Sequence, residues 1–200
     1  AETILEDAVV MSPCAAAAIY HRDIYVSMGG MAEYFFCYYE DVDLGLRFRL
    51  LGHETIQLAG AKVRHVGSTT AGKNSKFIKY YVSRNRIWTF IRCVPGSLFA
   101  ACLPLMILSI VTRLCFSIFA GDTSTKLKAF FDAFRRLFRI WNDRKVIQKA
   151  RKSSVLQFGS DMTWSIGKLI LRSSDCRPIS PEKFSKEPGT PFQAGGLDGS

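Results

Sequence analysis

Three carboxylates crowd four consecutive positions, Glu40, Asp41 and Asp43, at the start of a stretch whose apolar residues Val42, Leu46 and Leu50 recur four apart. That spacing predicts a helix with Asp41 as its N-cap. A helix start stabilises negative charge through its free N–H groups and dipole, which suits a carboxylate that must act as a base at neutral pH. His65 follows Asp41 by 24 residues, at the end of an apolar run, and an imidazole near such carboxylates could complete a divalent-metal site. On spacing alone, a capping carboxylate cluster and a strand-end histidine are the commoner reading of the same residues.

The elements that would position these groups alternate in type. Ala8 to Met11 and Ala15 to Tyr20 read as short buried strands, and His21 to Met28 as one or two helical turns closed by Gly29-Gly30. Gly52 stops the acidic helix. Thr55 to Leu58 and Lys62 to Val66 read as strands, Gly67 to Ser75 as a polar loop, and Lys76 to Arg92 as a second helix. The first 93 residues therefore have an α/β rhythm. Six cysteines, none in a C-x-x-C pair, fit no zinc module and suggest a reducing compartment.

Beyond Pro95-Gly96 the character changes. Leu98 to Thr112 carries no charge, yet its fifteen residues fall short of the ~20 that a spanning helix needs. A proline-kinked hairpin dipping into one leaflet suits this stretch as well as a span does. Leu127, Phe130, Phe131, Phe134, Leu137, Phe138 and Trp141 then follow helical periodicity, with Lys128, Asp132, Arg135, Arg136 and Arg139 on the other side. The formal charge of +10 is concentrated there: ten basic and two acidic residues lie between Lys126 and Lys152, against nine of each between Ala1 and Asn85. An aromatic face backed by Arg and Lys predicts a helix lying on an anionic membrane surface, and no nucleic-acid-binding motif accompanies it. Residues 94–156 read as this membrane-associated region and 157–200, rich in Pro, Gly, Ser and Lys toward the end, as a poorly ordered tail.

From Cys14 to Lys152 the chain resembles bacterial family 2 glycosyltransferases, particularly rhamnosyltransferases. The resemblance is carried in order by Arg22, Gly29-Gly30, Glu33, Phe35-Phe36, Glu40 to Leu44, Arg47 and Arg49, Gly52-His53, His65, Gly67 to Gly72, and Arg84-Asn85. It implies the acceptor-side, second half of a GT-A (nucleotide-diphospho-sugar transferase) domain over residues 1–93. It also implies a single-step inverting transfer from a nucleotide-sugar donor to a lipid-linked or polysaccharide acceptor, at the cytoplasmic face of the inner membrane, by a peripheral or monotopic protein. Asp41 matches the catalytic base. His65 matches a ligand of the divalent metal, Mn or Mg, under the diphosphate. Glu40 and Asp43 would shape the acceptor site, Gly29-Gly30 would let backbone approach the sugars, and Arg84 would lie near phosphate or the acceptor, or pair with the Glu40/Asp43 cluster.

Two departures bear on these expectations. Met31-Ala32 stands where the family has Phe-Asp, and no Asp-x-Asp string precedes Gly29. The donor-binding half that carries that motif is thus expected outside this sequence, leaving the chain alone a poor donor binder, or a remnant that keeps the membrane helix without the chemistry.

Overall fold

The computed structural model describes residues 6–63, 75–164 and 177–179. Helix dominates. The order is β1 (Ala8–Val10), α1 (Arg22–Ser27), α2 (Glu40–Leu50), β2 (Thr55–Gln57), α3 (Lys76–Cys93), α4 (Gly96–Ala120), α5 (Thr123–Arg135), α6 (Leu137–Ala150), α7 (Val155–Asp161) and β3 (Arg177–Pro178), with 3-10 turns at Ala15–Ala17 and Glu33–Phe35. The strands form one small antiparallel sheet, β2-β1-β3, with Ala8 opposite Gln57 on one side and Pro178 on the other. Residues 155–164 and 177–178, much of which the sequence assigns to the poorly ordered tail, thus carry a helix and a paired strand.

Helix α3 is the hub, packing against α2, α5 and α6. It starts at Ser75, whose hydroxyl accepts from the Ile78 N–H at 3.2 Å, and ends at Val94, which Pro95 holds in an extended conformation. Its apolar residues Ile87, Trp88 and Ile91 join Phe35, Phe130, Ala133 and Ile140 in the main core. A second cluster unites Leu50, Cys93 and Phe158.

Three sequence expectations differ from the structure. Ala15 to Tyr20 forms no strand: the Ala15 N–H is taken by the Asp41 carboxylate, and a 3-10 turn follows, since side-chain acceptors compete with a strand ladder and alanine has little strand preference. Lys62 and Val63 lie in no strand, and the rest of that expected strand, with His65, lies outside the described residues. The stretch after Pro95 is neither hairpin nor broken at Pro104: α4 runs for 25 residues to Gly121, whose φ of +65° closes it.

The amphipathic segment is also divided. Its two helices meet at Arg136, where Trp88 Nε1 donates to the Ala133 carbonyl (3.1 Å), the acceptor an uninterrupted helix would offer to Leu137. The face against α3 is built from Ala129, Phe130, Ala133 and Ile140, while Phe131, Phe134 and Phe138 point outward. The aromatic stripe is therefore shared between core and surface. Phe130→Ala is expected to lower stability by about 3 kcal/mol in urea unfolding, as for a buried aromatic, whereas Phe131→Ala, one residue on and 66% exposed, should stay within about 0.5 kcal/mol.

Candidate functional site

Helix α2 delivers the acidic residues, and the turn before it sets their direction. Phe36, Tyr38 and Tyr39 all have positive φ (67°, 63° and 71°), a region unfavourable for residues with a Cβ, and Tyr39 is the residue that caps α2. Two neighbouring residues of α3 hold this turn. The Asn85 amide nitrogen donates to the carbonyls of Phe35 (3.0 Å), Cys37 (2.9 Å) and Tyr38 (2.7 Å), and its oxygen accepts from Arg84 Nε at 2.9 Å. Arg84 Nη2 donates to the Phe35 carbonyl at 3.0 Å, and its guanidinium lies over the Trp88 ring (4.2 Å) and the Tyr81 ring (4.8 Å). Arg84 thus pairs with neither Glu40 nor Asp43. It braces the turn that leads to them.

Glu40 and Asp41 occupy the first two positions of α2, so Asp41 is inside the helix rather than its cap. Asp41 Oδ2 accepts from the Ala15 N–H (3.2 Å), Oδ1 from the Val42 N–H (2.8 Å), and its backbone carbonyl from the Ser12 hydroxyl (3.1 Å). One turn on, Gly45 lets the same loop approach: a Cβ there would stand 2.7 Å from the Ser12 Cα. Gly45, a glycine inside an otherwise good helix pattern, is the sequence sign of this close contact. Beside Asp41, the Tyr20 hydroxyl is buried without a hydrogen-bond partner, and so is Glu40 Oε2. Burial pushes the Tyr20 phenol up, and the Asp41 charge adds to it. Burial also raises the Glu40 carboxyl; a hydrogen bond to its own backbone opposes this, and the Asp41 charge reinforces it.

Asp43 serves a different purpose. It is fully buried, with Arg47 Nε donating to Oδ2 at 2.8 Å, Arg92 Nε 3.0 Å from Oδ1, and the Cys93 thiol 3.5 Å from the same oxygen. Burial raises its carboxyl and the Arg47 guanidinium pulls it back. Arg47 then donates onward to the carbonyls of Met28 (3.0 Å) and Gly30 (2.6 Å), which fixes the Gly29-Gly30 turn. Both glycines have positive φ, and a Cβ on Gly30 would meet the Tyr25 ring at 2.9 Å.

That glycine turn forms one wall of an open cleft of about 680 Å³. Arg47 and Arg92 also line it, with Tyr34 of the Glu33–Phe35 turn and Arg139, Asp143 and Val146 of α6. Arg139 lies over the Tyr34 ring at 4.3 Å, and the Tyr34 hydroxyl donates to Asp143. The candidate residues therefore separate: Gly29 and Gly30 face the cleft, Asp43 lies buried, Asp41 sits against the Ser12–Ala15 loop, Glu40 holds a buried oxygen without a partner, Arg84 supports the aromatic turn, and His65 lies outside the described residues. Arg47, Arg92 and Arg139 line the cleft, although the sequence gives them no site role. Their long spacing along the chain offers no local signal. No protein-family model, curated protein or solved structure matches the chain.

Two outcomes follow. Asn85→Ala takes the amide donor from the Cys37 and Tyr38 carbonyls, while Phe35 keeps Arg84, and should cost about 2 kcal/mol or more in denaturant unfolding. For Glu40 the folded carboxyl titrates above its unfolded counterpart, so its stabilising contribution is complete below the unfolded value and is lost as pH rises through the folded one. The stability of Glu40→Gln relative to the parent should therefore grow from about pH 4 toward neutrality in thermal unfolding; a pH-independent difference would remove Glu40 as a strained carboxylate.

Proposed function

We propose that this chain is the acceptor-side half of an inverting, membrane-associated glycosyltransferase, with Asp41 as the general base. The observation that carries the reading is the backbone strain invested next to a carboxylate pair. Three non-glycine residues are held at positive φ immediately before Glu40 and Asp41, by hydrogen bonds from a buried Arg-Asn pair. Strain of this kind gathers at functional sites because surrounding structure must compensate for it. The resemblance to family 2 glycosyltransferases, carried by these same residues, supplies the chemistry.

In that chemistry the Asp41 carboxylate takes the proton of an acceptor hydroxyl as its oxygen bonds to the anomeric carbon. The bond from that carbon to the nucleotide diphosphate breaks on the opposite face, and the diphosphate leaves with the electron pair. Glu40 and Tyr20, with buried oxygens lacking partners, would meet the acceptor's neighbouring hydroxyls. Gly29-Gly30 and the cleft beside them would take the rest of a lipid-linked or polysaccharide acceptor; rhamnose is the donor sugar suggested by the resemblance. Among the described residues no three His, Cys, Asp or Glu side chains gather as a cation site, and His65 lies outside them.

A second reading, a non-enzymatic membrane-associated relative, is favoured by the wide apolar surface of α4 to α6, which needs no carboxylate chemistry to bind lipid. The decisive experiment supplies the chain with a donor-binding half in trans, Mn or Mg, and a panel of nucleotide sugars, and measures nucleotide diphosphate release. Asp41→Asn keeps an oxygen for the Ala15 N–H and should reduce release at least about 100-fold. Release within threefold of the parent would dismiss Asp41 as base, and no release with any sugar would favour the second reading. For membrane attachment, removing Lys126 to Lys152 would also remove core residues, so surface changes are the better probe: Phe131→Glu with Phe138→Glu should move the protein from membrane pellet to supernatant.

A further inference from the structure

Helix α4 passes for a membrane span by length and composition, with only 6% of its most apolar window buried. How it is fastened to the rest of the chain argues for a different placement. Its inner face is attached along most of its length. The Phe99 ring stacks on Phe90 at 5.0 Å, Ser109 accepts from Arg86, Ile110 and Leu114 pack on the main core, and Ser117 is buried at the turn into α5. Two guanidinium groups lie on that inner face: Arg144 over Phe99 at 4.4 Å, and Arg86 with Nη2 2.9 Å from Ser109 Oγ. Phe99 and Ser109 are ten residues apart, about 15 Å along the helix. A perpendicular span would carry at least one of these cations, and the α3 segment that bears Arg86, into hydrocarbon, where charged side chains are costly. The outer face has no such burden. Leu105, Leu108, Phe116 and Phe119 project from it, all exposed.

The cations here also have no anion of their own. Arg113 lies one turn beyond Ser109, on the same side of α4. Among the described residues neither Arg86 nor Arg113 is ion-paired; burial first, then the Arg113 charge, holds the Arg86 guanidinium below the usual arginine range, with Tyr39 opposing. The Arg113 carbonyl accepts from Lys126 Nζ, and Lys126 and Lys79 share the Asp122 carboxylate. The junction of α3, α4 and α5 thus carries Arg86, Arg113, Lys79 and Lys126 beside an apolar helix, with Asp122 paired to the two lysines. Charge of one sign next to exposed hydrocarbon is complementary to the phosphate plane of an anionic leaflet.

We infer that α4 lies in the plane of one leaflet, its outer face in the acyl region, with a membrane-lipid phosphate held between Arg86 and Arg113. The inference is independent of the Asp41 chemistry. It is tested on the full chain with vesicles of phosphatidylcholine, with and without phosphatidylglycerol. Arg113→Gln changes an exposed residue. It should weaken binding to the anionic vesicles roughly fivefold, the factor expected for one basic residue near such a surface, and leave binding to neutral vesicles unchanged. Arg86→Gln together with Arg113→Gln should weaken it further. Tryptophans placed singly at Leu105, Leu108 and Phe119 report depth through lipids brominated along the acyl chain. Equal, shallow depths are expected. A deep position at Leu108 with a shallow one at Phe119 would establish a span and overturn the inference, as would unchanged anionic preference in Arg113→Gln. Arg113-dependent binding of inorganic phosphate without vesicles, as tight as vesicle binding, would assign the site to soluble phosphate and overturn the lipid assignment.

Discussion

One amide, that of Asn85, supports three backbone carbonyls of a turn in which non-glycine residues repeatedly adopt positive φ. Each such residue costs on the order of 1 kcal/mol, so the turn would relax to ordinary geometry without a set of donors that matches only the strained form. Arg84 adds a donor and a cation over the aromatic rings, and Trp88, one turn further along α3, fixes the depth of the whole arrangement in the core. The direction of α2 follows from this turn, because its last residue is the residue that caps the helix. From that direction follow the contact of Asp41 with the Ser12–Ala15 loop and the reach of Arg47 to the glycine turn.

The interior is polar to a degree that its apolar composition does not suggest, and arginine is the reason. Most of the hydrogen bonds that Arg47, Arg84 and Arg144 donate go to backbone carbonyls rather than to carboxylates. A guanidinium is suited to this: its planar fork can serve two or three carbonyls at turns and helix ends, which would otherwise be buried without partners. Asp43 is the exception that needs charge compensation, and it lies between Arg47 and Arg92. Such buried clusters add little net stability but leave few alternative packings, since any other arrangement would strand a charge.

The sequence conveyed the periodic parts of this fold well. The spacing in α3, the end of α2 at Gly52 and the turn at Gly29-Gly30 were legible because they depend on local residue preferences. Where the signal was local but the outcome was decided across the chain, the reading went astray. Ala15 to Tyr20 looked like a strand until Asp41 claimed its N–H, and the aromatic stripe looked like one helix until Trp88 took a carbonyl in its middle. The cleft was invisible for the same reason, since Arg47, Arg92 and Arg139 come from three helices and no spacing rule connects them. The division of roles among Glu40, Asp41 and Asp43 was equally hidden, because adjacent helix positions point in different directions and only the packing says which one is buried.

Helix α2 is also secured at its far end. The Leu50 carbonyl, one of the groups a helix leaves without an internal partner, accepts from both the Lys152 and Ser153 N–H groups (2.9 and 3.0 Å), just after α6. The acidic helix is therefore held at one tip by α3 and at the other by the chain leaving α6, the helix that carries the outward-facing Phe138. These hydrogen bonds tie the position of the carboxylates to that of the aromatic rings. Whatever surface the rings rest on, the fold sets a constant stand-off between that surface and Asp41, so that reach, rather than motion, would govern which hydroxyls the acid can meet.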